Sequence, residues 1–270
     1  MNKVIYPPGD FHIHTNLRPF DDGADNMRGD MIAVECRKRG FTAFGLSPHW
    51  HFDAEPQPML EFLAESKRLA GEILPMFCGA EAECIDENGT LTIPREVAAE
   101  LDYLIVSADH FNCTGVVRPP ERASEHFLFH LKLLLKLAQD PLVDIVAHPL
   151  IAVLLLTVDG HMGERYEVLE NLPEIPETWL DEFASALREN HTAIEINGFF
   201  TSTWLRRRQT AGHCYESRYY DFFKALAEKG VLFSAGSDAH NIESLSQYDR
   251  AAEWLKRLEI PQKQLWNINQ

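Results

Sequence analysis

Seven short apolar runs, most of them followed by a turn and a longer helical stretch, constrain this chain most. They lie at Asp10–His14, Ala43–Ser47, Met76–Glu81, Tyr103–Ser107, Asp144–Ala147, Ala193–Asn197 and Val231–Ala235. Helical patterns fall between them at Gly29–Gly40, Pro58–Leu74, Glu121–Gln139, Glu177–Asn190, Glu216–Gly230 and Ser244–Leu258. In Glu121–Gln139, Phe127, His130, Leu131, Leu134 and Leu135 recur at helical spacing and make a buried face. Gly40 and Gly230 stand where a helix closes before a strand. Strands alternating with helices imply a parallel sheet, and seven such units favour a barrel over an open sheet.

The polar residues follow the same rhythm. His12 and His14 end the first run, His49 follows the second, and Glu81 ends the third. His110 and His148 follow the fourth and fifth, Glu195 and Asn197 end the sixth, and Asp238 and His240 follow the seventh. All strand C-termini of a parallel barrel open on one face, where active sites sit. His12 and His14 point to one side of an extended strand, so two imidazoles can reach one cation. Asp238-Ala239-His240 repeats that geometry with one carboxylate, and Gly236 allows close backbone approach. A carboxylate at a strand tip can bridge two cations; Glu81 is preferred for this, with Glu83 its rival, as His51 is the rival of His49. So many histidines and carboxylates exceed the needs of a single cation, and mixed nitrogen and oxygen donors suit zinc, manganese or iron. Clustered cations of this kind serve phosphoester hydrolysis.

The chain has 25 basic and 41 acidic side chains, a net charge of −16. Such a surface repels nucleic-acid phosphates and anionic membranes. A small phosphorylated substrate is therefore expected rather than a nucleic acid. The apolar stretch Leu142–Val158 is broken by Asp144, His148 and Pro149 and is too short to span a bilayer. The start of the chain has no apolar core of a signal peptide, and the five scattered cysteines form no CxxC. Both features predict a cytoplasmic protein. There is no Gly-rich phosphate loop and no G-x-S-x-G. Arg206, Arg207 and Arg208, with Arg218 in the same connection, are the candidates to hold a substrate phosphate, because guanidinium grips oxyanions in pairs of bonds.

These motifs resemble those of the PHP (polymerase and histidinol phosphatase) metal-dependent phosphoesterases, in their order. They are DFHIHT, SPHWH, GAEAE, SADH, AHP, EIN and GSDAH, from about Asp10 to His240. The resemblance implies a single distorted (β/α)7 barrel over residues 1–270, in the histidinol-phosphatase-like branch, with a site for two or three divalent transition metals. It assigns His12, His14, Glu81 and Asp238 to one metal, Glu81, His110 and His148 to a second, and His49 and His240 to a third. Where the family completes the third site with a histidine or aspartate soon after HxH, this chain reads TNLRPFDDG, and Asp22 is the candidate. Glu81, Asp238 and His240 are the expected catalytic groups. An amidohydrolase-type hydrolase is the alternative, weakened by His110 after strand four and the DxH on the last strand. A nuclease or a non-catalytic metal-binding domain of the same fold are the others.

Overall fold

A computed structural model describes residues 9–111, 115–151, 172–201 and 213–268. Its strands are β1 (Phe44–Leu46), β2 (His49–Trp50), β3 (Met76–Glu83), β4 (Tyr103–Ser107), β5 (Ile145–Val146), β6 (Ala193–Asn197) and β7 (Leu232–Gly236). They form one parallel sheet in the order β1-β3-β4-β5-β6-β7, with β2 also on β3. β1 lies within the expected strand Ala43–Ser47, and β2 adds a second short piece just after it. Pro48 between them has no N–H to give a ladder, and its carbonyl accepts from Glu81 N instead.

The first expected strand is not a regular strand, and it closes the barrel. Ile13 bridges Ala239 in parallel. On one side Gly45 N donates to Asp10 O and Ser47 N to Ile13 O; on the other, Asp238 N donates to His12 O and His14 N to Ala239 O. The Asp10 carboxylate takes the backbone N–H of His12 and of Ser237, both at 3.1 Å. A side chain thus supplies bonds that a continuous ladder would have made, which is why this segment reads as a strand yet pairs as separate bridges. The curled sheet with helices around it is a distorted (β/α) barrel, as the strand count predicts.

The helices are α1 (Gly29–Lys38), α2 (Pro56–Gly71), α3 (Arg95–Ala98), α4 (Ala123–Gln139), α5 (Glu177–Glu189), α6 (His213–Glu228) and α7 (Tyr248–Arg257). The expected helix at Ser244–Leu258 is split: a 3₁₀ turn at Ile242–Gln247, capped by Asn241 accepting from Ser244 N, precedes α7. Phe127, His130, Leu131 and Leu134 of α4 are buried as their spacing predicts. Inside the barrel the Tyr103 ring lies over Gly45 and Gly79, where a Cβ would come within 2.3 Å of its atoms. Its hydroxyl donates to Phe11 O at 2.7 Å. Glycine at these two strand positions is what lets the ring cross the barrel floor. Among the described residues no helix is long and apolar enough to cross a membrane.

Candidate active site

The strand C-termini bring His12, His14, His49, Glu81, His110, His148, Asp238 and His240 together, with Asp22 from the loop after the first segment. Glu81 is the centre. Its Oε2 lies 3.1 Å from His49 Nδ1, 3.4 Å from His12 Nε2 and 3.5 Å from His14 Nε2, and its Oε1 lies 3.0 Å from His148 Nε2. Asp238 Oδ1 is 3.0 Å from His14 Nε2 and 3.7 Å from His12 Nε2. His240 Nε2 is 3.0 Å from Asp22 Oδ1, and its ring stacks on His14 with centroids 3.9 Å apart. His51 stacks on His49 with ring centroids 5.5 Å apart. The donors of His14, Asp22, His49 and His240 lie within 4.8 Å of one another, as do those of His12, His14 and Glu81.

A second layer of carboxylates holds the imidazoles from behind. His12 Nδ1 donates to Glu195 Oε1 at 2.7 Å, His14 Nδ1 to Asp21 Oδ1 at 3.2 Å, and His110 Nδ1 to Glu83 Oε1. His148 Nδ1 lies 3.1 Å from Asp109 Oδ2. A carboxylate only accepts, so each donated bond fixes a proton on Nδ1 and turns Nε2 toward the cluster. Histidines that bind metals are held in this way. Glu195 also accepts from His148 N at 2.9 Å, and Asn197 Nδ2 donates to both Glu195 and Asp238. Gly236 is required here, because a Cβ on it would meet Glu195 Oε1 at 2.1 Å and His12 Cβ at 2.6 Å. Asp238 itself has φ 57°, a strained conformation for a non-glycine residue, which turns its carboxylate into the cluster.

The electrostatics are those of a buried anionic centre. Burial by itself would lower His12, yet the carboxylates of Glu195, Glu81 and Asp238 hold it well above the usual imidazole range. His148 is likewise raised against burial, by Asp109 and Glu81. Burial alone would raise Glu81 and Asp238, but the surrounding histidines, His12 first among them, hold both well below the carboxylate range. His12 Nε2, His49 Nδ1 and Glu81 Oε2 are buried atoms with no hydrogen-bond partner although they face one another. Such a group of inward-facing donors, costly to bury unsatisfied, fits a cation between them.

The sequence reading missed Asp21, Glu83 and Asp109 as carboxylates behind histidines and gave Glu195 no role. Their signal was present: each lies beside a motif residue or at a strand end. Both aspartates of DDG are used, Asp21 buried on His14 and Asp22 on His240. The arginines came out differently. Arg206 and Arg208 lie outside the described residues. Arg218 is placed away from the cluster: it donates to Leu172 O and lines a separate cavity with Leu172, Ile175 and Phe222. Among the described residues the arginine lining the histidine cavity is Arg18, whose guanidinium donates to Asp21 O and Gly23 O.

No family model matches the chain. A protein of Acetivibrio thermocellus named a probable phosphatase is 24% identical over 262 residues, covering 96% of this chain and 92% of the relative. Another of that name, from Caldicellulosiruptor bescii, is 24% identical over 258 residues, covering 94% and 90%. Among solved structures, histidinol phosphate phosphatase from Lactococcus lactis, complexed with zinc, L-histidinol and phosphate, superimposes with a TM-score of 0.56 at 16% identity, covering 93% of each chain. The chain has the fold of the PHP histidinol phosphatases. A second neighbour of that fold, a putative histidinol phosphatase of Listeria monocytogenes, gives a TM-score of 0.58 at 13% identity, covering 88% of this chain and 97% of its own. The PHP-like motifs of the sequence therefore sit at the strand ends of a PHP-like barrel.

Proposed function

We propose that this chain is a metal-dependent phosphatase that hydrolyses a small phosphomonoester at a multinuclear site. The observation that carries the reading is the pattern around Glu81: imidazoles tied at Nδ1 to outer carboxylates, with Nε2 atoms and an unsatisfied Glu81 Oε2 turned inward. His12, His14, Glu81 and Asp238 would hold one cation, Glu81, His110 and His148 a second, and His49, His240 and Asp22 a third. Zinc, manganese or iron suit this donor set. Such cations, when bound, neutralise phosphate charge and lower the pKa of a water.

The chain's own residues do the rest. Glu81 and Asp238 fix the imidazoles about a common centre. Glu195, Asp21, Glu83 and Asp109 keep each ring in one orientation. His240 is held by Asp22 at the open side of the cluster, where its side chain is 36% exposed. Burial would lower its pKa, but the bond from Asp22 and the charge of Asp238 raise it. There His240 would help hold the cation that stabilises charge developing on a departing alcohol oxygen. Among the described residues no serine, threonine, cysteine or lysine lines the cavity, which favours attack by water over a covalent intermediate. The relatives named probable phosphatases and the fold neighbour bound to phosphate point to the same reaction class. The acidic surface and the cysteines Cys36, Cys78 and Cys84, all free thiols, fit a cytoplasmic enzyme. The test is a screen of metal-reconstituted and chelator-treated protein against phosphomonoesters, nucleotides and oligonucleotides. Monoester hydrolysis abolished by chelation supports the reading; cleavage of oligonucleotides alone contradicts it.

A further inference from the structure

The cavity above the histidines has a volume of about 450 Å³. Its lining divides in two. One part is the cluster itself, Asp21, Asp22, His49, His110, Asp238 and His240. The other is a rim of Arg18, Pro19, Phe20, His51, Phe199 and Phe200. The rim is where the alcohol part of a phosphomonoester would lie once its phosphate is at the cluster. Four of the six rim residues are apolar, three of them phenylalanines. Phe199 and Phe200 meet edge to face with centroids 5.4 Å apart, and Phe200 packs against His148 at 5.6 Å. They directly follow Asn197 and Gly198 at the end of β6, so the aromatic wall is anchored beside the cluster.

The polar side of the rim is as informative. Among the described residues it carries no serine, threonine, asparagine or glutamine, the groups that would recognise a sugar's hydroxyls. The carboxylates reaching the cavity are already engaged: Asp21 by His14 at 3.2 Å, Asp22 by His240 at 3.0 Å, and Asp238 by His14 and Asn197. Among the described residues the rim itself carries no carboxylate to receive a substrate ammonium group, and its charged member is the cation Arg18. Its guanidinium secures the loop through Asp21 O and Gly23 O, so a substrate ammonium there would meet a fixed like charge.

We infer that the alcohol part of the substrate is an uncharged, apolar, flat group, so that the enzyme takes arylalkyl phosphates in preference to sugar phosphates and amino-alcohol phosphates. This rests on the phosphatase reading. Stacking a ring against Phe20 and Phe199 removes apolar surface from water and adds edge-to-face attraction.

The experiment compares kcat/KM of the metal-loaded enzyme for 2-phenylethyl phosphate, ethyl phosphate, glycerol phosphate and phosphoethanolamine. All leave as aliphatic alcohols, and the last two are the better leaving groups, so leaving-group chemistry works against the expected order. The expected ratio of 2-phenylethyl to ethyl phosphate is on the order of 10–100-fold. Phe199→Ala and Phe20→Ala should each cut that ratio by about tenfold, and two separate variants guard against misfolding of one. A wild-type ratio near one, or preference for glycerol phosphate or phosphoethanolamine, overturns the inference while leaving the phosphatase reading standing. Hydrolysis of none of the four by metal-loaded protein overturns that reading, and this inference with it.

Discussion

The two ends of the barrel both carry polar cavities, and they solve the problem of charge in opposite ways. At the end of the strand N-termini, a cavity of about 570 Å³ is lined by Asp102, Asp144, Arg188, His191 and Lys263, among others. There the charges are answered by the protein. Asp102 takes Lys67 Nζ at 2.6 Å and Cys78 N at 2.7 Å. Asp144 takes Leu104 N at 2.8 Å, and Arg188 donates to Lys229 O at 2.7 Å. At the histidine end the cavity is smaller, yet its lining crowds three carboxylates and four imidazoles among the described residues, and buried atoms beside it remain without partners. Size does not pick out the functional end of this barrel. Unsatisfied chemistry does, because a fold keeps such a centre only where something else completes it.

The sharpest way to break this contrast is at Glu81. Glu81→Gln keeps the shape but removes the charge shared by four histidines, and kcat/KM should fall by about 10³-fold or more. Glu83→Gln, which releases only His110 and the Ser107 hydroxyl, should cost about 10–100-fold. Steady-state kinetics of the two variants checks the order, and an equal or larger loss from Glu83 would place the centre on the wrong glutamate. Glu195→Gln comes next. The amide keeps one acceptor oxygen where His12 Nδ1 and His148 N each use one of the carboxylate's two, and metal affinity should weaken about 10–100-fold in a competition titration with a chelator.

A smaller effect separates histidines that serve the site from one that serves the fold. His130 Nδ1 donates to Ala108 O and its Nε2 accepts from Leu150 N. Burial lowers its pKa from 6.5 to about 4. Between those values the unfolded chain binds a proton that the native state refuses, so stability falls as pH drops from 6.5 toward 4. The expected slope is about 1.4 kcal/mol per pH unit for this one group. Urea unfolding of chelator-treated wild type and His130→Gln across that range should show the slope reduced in the variant; parallel curves would remove His130 from the account. The smallest effect is expected at the other end of the barrel, where Lys263→Ala should leave kcat/KM within about twofold and stability within about 0.5 kcal/mol.

Much of this arrangement was legible in the sequence, and the failures have physical causes. The runs 43–47, 76–81, 103–107, 144–147, 193–197 and 231–235 all contain strands, because buried parallel strands are written as apolar runs. The segment 10–14 has the periodicity of a full strand, but Asp10 replaces ladder bonds with its side chain. The residues gathered around Glu81 could be named because each ends or follows a strand, and parallel strands all end on one face. The roles of Asp21, Asp109 and Glu195 were hidden because which partner stands behind which imidazole depends on pairings across the barrel, such as His12 with Glu195. Arg218 shows the same limit: it lies on α6, in the connection after β6 as expected, and its guanidinium meets Leu172 O, a pairing that sequence position does not reveal.

The central claim is that the histidine end is completed by cations and the opposite end by the protein. Metal content measures it most directly. Protein purified without chelator, then reconstituted with zinc, manganese or iron, desalted and analysed by elemental mass spectrometry, should carry two or three metals per chain, and Glu81→Gln should carry fewer. Less than one metal per chain after reconstitution, or a content unchanged by Glu81→Gln, would contradict the account.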